Sequence, residues 1–255
     1  MKNKMKRTLY AVALLLAASS AFAQKSLDVT VARAGTLSSY IADADKYSVT
    51  SLTVKGELNG DDIRLIRDIA GGSLEADASE EGVSTPGKLQ VLDMSGARIV
   101  RGGDVYYAMN LTTSTDTVGT SMFKNCRSLE SIVLPRSTKY IGNVAFSGCK
   151  ALRTVDMPSG VAGIGAWAFD GSGIETIVLP QTMKSVQTST FSDCSRLVSV
   201  TIPEGVTAIG SYAFSGCSAL RNVTLPLSLK TIQPGAFRNG GLRSVELPSA
   251  LSFIG

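Results

Sequence analysis

Histidine does not occur in this 255-residue chain. Its absence excludes Ser-His-Asp and Cys-His catalysis and every zinc site that uses imidazole. An enzyme built from these residues would have to rely on carboxylates, lysine, tyrosine or cysteine alone. After residue 23 there is no second long apolar run, so a membrane-spanning segment is not expected once the first residues are removed. An excess of positive charge is also missing. The whole chain carries 25 basic and 21 acidic residues, but Lys2, Lys4, Lys6 and Arg7 belong to the leader, which leaves 21 of each. Neutral balance removes the electrostatic footprint of a nucleic-acid or polybasic membrane partner and gives little protection against self-association.

The leader itself is well marked. The four basic residues precede an apolar stretch from Leu9 to Ala18, and Ala21-Phe22-Ala23 supplies the small-x-small cleavage pattern before Gln24. Residues 1–23 are therefore expected to be a signal peptide, and the mature chain to be exported to the cell surface, periplasm or extracellular space. Cysteine is absent before Cys126, so the new N-terminus offers no site for acylation, as a lipoprotein would need.

What the chain does have is a period. Phenylalanine falls at 123, 146, 169, 191, 214 and 237, and proline at 135, 158, 180, 203, 226 and 248, in steps of 22 or 23 residues. A repeat of that length is one supersecondary unit too small to bury its own apolar face, so copies must stack into a solenoid. Each copy carries an aliphatic trio, for example Leu129, Ile132 and Leu134 or Leu197, Val200 and Ile202, followed at once by the proline. The last two members are two apart and point to one side of a strand, which the proline then ends. An Ile-Gly pair and Ala-Phe come next, as in Ile141-Gly142 and Ala145-Phe146. Stacked rings are expected to form an aromatic spine, and stacked strands one parallel sheet. Two copies are one residue short and carry Gly171-Ser172-Gly173 or Asn239-Gly240-Gly241 where the others have cysteine. They read as loop deletions that keep the strand register.

This frame, L-x-x-V-x-L-P-x-x-V-x-x-I-G-x-x-A-F-x-G-C, resembles the leucine-rich repeat, and more narrowly the 23-residue variety of BspA-like bacterial surface proteins. The likeness is strong over about residues 121–255 and weaker over 50–100. It implies an α/β solenoid with one parallel strand per turn, short irregular or helical returns, a curved shape, and a role in attachment.

Residues 24–120 read as an N-terminal cap with irregular early turns. Leu27 to Arg33 and Ser51 to Val54 have strand patterns, Gly35 to Ile41 suggests a helix start, and Ile63, Ile66 and Ile69 have helical spacing opened by Asn59 or Asp61. Asp61-Asp62 fits a helix N-terminus rather than a catalytic carboxylate pair. Loops are expected at 71–88 and 101–120. The second contains Tyr106 and Tyr107, for which two readings are open: anchors for a partner, or packing of the loop onto its own turn. Cys126, Cys149, Cys194 and Cys217 share one place in the repeat and are expected to be buried, reduced thiols. They form no metal site, and no cofactor is expected.

The outward strand positions and the residues just before them form the natural contact surface. Candidate partner-binding residues there are Arg153, Asp156, Thr176, Thr201, Arg221, Asn222, Thr224, Arg243 and Glu246. Glu130, Arg153 and Glu175 are also placed to pair across neighbouring turns. The expected function is recognition of a protein or glycan on a host or neighbouring cell. The alternative is a structural spacer of the cell envelope without a specific ligand. Acidic residues lie on separate turns with no cleft-forming insertion, so a two-carboxylate glycosidase is not expected. The array stops at Ile254-Gly255, partway through a seventh copy, so the chain is expected either to be a piece of a longer protein or to associate end to end at that edge.

Overall fold

The computed structural model describes residues 24–72, 84–108 and 110–255. The leader, residues 1–23, and most of the acidic segment within 71–88 lie outside the described residues.

The chain begins with three long parallel strands, β1 (Lys25–Val31), β2 (Val49–Leu58) and β3 (Val91–Ile99). Helix α1 (Gly60–Ile69) makes the crossover from β2 to β3, as parallel neighbours require. Its apolar stripe, Ile63, Ile66 and Ile69, is fully buried. Asn59 is the N-cap: its Oδ1 accepts from Asp61 N at 3.0 Å, while Asp62 Oδ2 accepts from Asn59 N at 2.9 Å. Asp62 also accepts from Gly35 N at 2.6 Å and Leu37 N at 2.9 Å, tying the preceding loop to the helix start. The helix anticipated from Gly35 is only a four-residue 3-10 turn, Leu37–Tyr40.

The same sheet continues into the repeats through Ser131–Val133 and Thr154–Asp156, all parallel and in register. It does not run unbroken to the end. Thr176–Val178 pairs with Ser199–Thr201 in a separate ladder, the next turn adds one bridge, Thr201 to Thr224, and residues 244–246 form no strand. Strand pairing with the preceding turn is lost after each of the two shortened returns, so the deletions keep the strand's place but not its hydrogen bonds. In the first of these, a Cβ on Gly173 would stand 2.3 Å from Lys150 O, which is why the tightened return needs glycine there. A second parallel ladder of two-residue strands runs through Thr117–Val118, Tyr140–Ile141 and Gly163–Ile164, and resumes from Ser185–Val186 to Phe253–Ile254.

The return contains no helix. Around each phenylalanine, alternate backbone N–H groups bond within the turn and to the next turn. Lys124 N donates to Ser121 O, while Phe123 N and Asn125 N donate to Ala145 O and Ser147 O at 2.8 Å each. This alternation is achieved with two left-handed residues per turn. One stands two positions before the ring (Ser121, Val144, Trp167, Ser189, Tyr212, Gly235), the other two positions after it (Asn125, Gly148, Gly171, Asp193, Gly216, Asn239). The rings between them stack at centroid separations of 5.2–5.4 Å, with interplanar angles of 6–12°. Phe146 and Phe214 are both fully buried.

All four cysteines are buried and free. They do more than fill space. The thiols of Cys149, Cys194 and Cys217 donate to the carbonyl oxygens of Phe123, Phe169 and Phe191 in the preceding turn, at 2.9, 3.0 and 3.1 Å. In the first short turn buried Ser172 occupies the cysteine's place and contacts Cys194 Sγ at 3.4 Å.

The segment expected as a loop over 101–120 is an antiparallel hairpin, Gly102–Tyr107 against Leu111–Thr113, packed on α1. It positions Tyr106 and Tyr107 inward. In the regular array the carbonyls of Asn143, Ala145 and Ser147 accept from the turn before them. The corresponding carbonyls of the first turn, Thr120, Met122 and Lys124, have no earlier repeat. Tyr106 Oη donates to Thr120 O at 2.7 Å, and the fully buried Arg67 guanidinium donates to Met122 O at 2.8 Å and Lys124 O at 3.4 Å. The cap thus substitutes side-chain donors for a missing turn of backbone. The guanidinium also stacks on the Tyr107 ring, 4.5 Å from its centroid.

Three outcomes follow. Arg67→Met leaves the carbonyls of Ser121, Met122 and Lys124 without these donors and is expected to lower stability by about 2–4 kcal/mol in urea unfolding. Val144, held at φ 59°, is β-branched in the left-handed region. Val144→Asn is expected to raise stability by about 0.5–1 kcal/mol in the same assay. Burial pushes the thiol of Cys126 up to about 11 and that of Cys194 to about 12, raises Cys149 and Cys217 in the same direction, and pushes Tyr106 up to about 12. An unfolded thiol titrates near about 8.5. The unfolded chain therefore loses protons first, and stability that is complete below that pH falls as pH rises through the folded values. Melting temperature measured from pH 8 upward should drop steeply through this window, and Cys194→Ser should shallow the slope.

Candidate interaction surface

The repeat fixes which side chains face outward on the sheet. Within each strand the middle residue (Ile132, Val155, Ile177 or Val200) faces the core, and its two neighbours face out. Registered pairing then lines these outward residues into columns. Thr176 lies beside Ser199, Val178 beside Thr201, and Thr201 beside Thr224. Farther along, Asn222 and Glu246 continue the columns. All nine sequence-predicted residues of this face (Arg153, Asp156, Thr176, Thr201, Arg221, Asn222, Thr224, Arg243 and Glu246) are exposed.

Tyr106 and Tyr107 do not join them. They are 1% and 8% exposed, on the hairpin against α1, with the Tyr106 hydroxyl engaged by Thr120 and the Tyr107 ring face by Arg67. As partner anchors they are corrected to cap residues, because the first turn's open carbonyls demand donors from that side. The hairpin likewise packs against the helix rather than projecting.

In the flanking column Arg153 Nη1 donates to Glu175 Oε1 at 2.7 Å, an exposed pair worth about 1 kcal/mol or less. Glu130 instead accepts from Gln90 Nε2 at 3.1 Å. Beyond Glu175 the column changes character to Val198, Arg221 and Arg243, and Arg221 Nη1 donates to Gly241 O at 3.3 Å.

The two halves of the face therefore differ. The first presents mainly Ser, Thr and Asp, with Val91 and a half-buried Val133 among them, beside an internally paired Arg and Glu. The second exposes apolar side chains, with Val178 at 67% and Leu227 at 75% accessible, and Val198 also exposed. Two shallow depressions lie there. One of 570 Å³ is lined by residues 198–202 and 222–224, and one of 410 Å³ by 222–225, 227 and 244–248. Both occur where strand pairing frays. Leu227 was missed in the sequence, although a signal existed: the residue after the repeat proline is Arg136, Ser159, Gln181, Glu204 and Ser249 in the other copies. Among the described residues no group of three or more cysteine or carboxylate side chains is placed to hold a metal ion. Nor is any described helix long and apolar enough to cross a membrane.

Comparison with known proteins places this architecture. No curated protein matches the chain in sequence. Among solved structures it is similar to a leucine-rich repeat protein of T. pallidum, at 28% identity over 58% of this chain and 65% of that one, with a TM-score of 0.36. It is also similar to a leucine-rich cell surface protein of Faecalibacterium prausnitzii, at 20% identity over 81% and 63% of the two chains, TM-score 0.40. A third is the pneumococcal vaccine antigen PcpA, at 18% identity over 80% and 64%, TM-score 0.32. The chain thus spans just under two thirds of the length of each of these proteins. The family model described as BspA type leucine-rich repeat region matches residues 116–243 in six copies. With the phenylalanine stack, the parallel strand per turn and the match over half its length, the chain belongs to the BspA-type leucine-rich repeat family of bacterial proteins.

Proposed function

We propose that the chain is an exported binding module of the bacterial cell surface that recognises a protein or glycan of a host or neighbouring cell through the second half of its sheet face. The observation that carries this reading is the exposure of Val178, Val198 and Leu227 among small hydroxyl side chains, beside two depressions and the exposed Arg243. A face that served only as a spacer would have no use for apolar side chains in water, and clustered ones mark contact surfaces. The first half, polar and internally paired at Arg153 and Glu175, has the character expected of a solvated wall. Export rests on the basic, apolar and small-x-small pattern of residues 1–23. A non-enzymatic role rests on the absence of histidine and on carboxylates distributed over separate turns.

The mature chain, tested against an array of extracellular-matrix proteins and mammalian glycans, is expected to bind a discrete subset. Val178→Asp and Thr201→Arg, both at exposed positions that tolerate change, should weaken that binding about tenfold or more while leaving the melting temperature within error. Arg153→Ala, in the polar half, should leave it unchanged. Absence of any ligand, or equal loss in all three variants, would favour the spacer reading.

A further inference from the structure

A second surface lies on the return half of the turn, within the ladder of two-residue strands. The first residue of those strands runs down one column as Thr117, Tyr140, Gly163, Ser185, Ala208, Thr231 and Phe253. Glycine occurs once in that column, directly beside Tyr140 in the hydrogen-bonded register. The backbone does not require it. Gly163 has no positive φ, and a Cβ built there would meet only the Tyr140 ring, at an ordinary 3.6 Å. The missing side chain therefore opens space rather than relieving strain. The result is a shallow depression of 520 Å³ lined by Gly142, Gly163 and Gly165 and by Tyr140, which is 55% exposed.

The rest of the lining is neutral. Asn143 Oδ1 accepts from Ala166 N at 3.0 Å, which anchors its carbonyl end and leaves its amide N–H groups open. Gln187 is held in the opposite sense: its Nε2 donates to Ser185 Oγ at 2.8 Å, leaving the carbonyl oxygen open. The depression thus offers an aromatic face, one amide donor and one amide acceptor, with no charged side chain in its lining.

From this geometry we infer that the Tyr140 depression is a binding site for a neutral saccharide. The apolar face of a pyranose presents C–H bonds of partial positive charge, which match the negative face of the phenol ring. Its hydroxyls are both donors and acceptors, and so match the open Asn143 amide and the open Gln187 carbonyl. Phosphorylated, acidic or basic ligands find no counter-charge there. The space left by the missing Gly163 side chain accepts a ring lying against the tyrosine. This site is independent of the sheet-face reading and lies on other residues, so Val178→Asp should leave it intact.

Saturation-transfer NMR with cellobiose, lactose, mannobiose and N,N′-diacetylchitobiose tests the inference. At least one disaccharide is expected to show transfer to its ring protons. Tyr140→Ala removes the ring, and Gly163→Val fills the space beside it from a backbone conformation that accepts it. Each should lower affinity about tenfold or more, while Tyr212→Ala, at an exposed ring in a later turn, should not. Circular dichroism and melting temperature establish that both variants remain folded. No transfer with any of the four sugars overturns the assignment, as does binding indifferent to both Tyr140→Ala and Gly163→Val. Capture of a polyproline peptide at Tyr140 in place of every sugar overturns it as well.

Discussion

The constraint on which the structure depends is the translation that carries one turn onto the next. Backbone ladders demand a separation of about 4.8 Å between neighbouring strands, and the six phenylalanine rings repeat at 5.2–5.4 Å, close enough to satisfy the same step. Near-parallel rings are what pure translation produces, and each offset pair contributes about 0.5–1.5 kcal/mol beyond its burial. The thiol-to-carbonyl bonds of Cys149, Cys194 and Cys217 follow the same step. Ring and thiol therefore stitch one edge of the turn, while the aliphatic trio fills the space between that edge and the sheet. No single turn has a core without its neighbours, so stability is a property of adjacency.

A stack of this kind has ends, and the first end is solved chemically. The carbonyls that would accept from an earlier turn accept instead from Tyr106 and Arg67, donors borne on a hairpin and a helix with no resemblance to the repeat. Burying a guanidinium is costly unless it is well bonded, and here its hydrogen bonds and the Tyr107 face compensate. Asp62 secures the same helix by accepting three backbone N–H groups. The result is a rigid cap in which the residues that looked most like binding anchors are committed to structure.

Departures from strict repetition are where the surface acquires character. Shortened returns loosen strand pairing in the later turns, and the apolar residues and depressions of the sheet face gather there. Gly163, one side chain missing from a column, opens a recess beside an exposed tyrosine. Regularity supplies the scaffold, and small violations of it supply distinct places where a ligand finds shape and polarity.

Much of this was legible in the chain itself. The spacing of Phe and Pro determined the period, the strand alternation chose which side of each turn faces inward, and the shared place of the four cysteines marked them as buried. These are local or translational properties, and a repeat states them many times over. The early strands and α1 were legible for the same reason, because periodicity and a cap residue act within a few positions of one another. What the tertiary structure alone decided depends on contacts between unlike segments. The inward turn of Tyr106 and Tyr107 answers carbonyls about a dozen residues later and a helix about forty residues earlier. The loss of strand pairing after the short returns, and the opening at Gly163, arise from what stands in the adjacent turn. No pattern within a single copy encodes its neighbour's missing atoms, and there the three-dimensional stack had to speak.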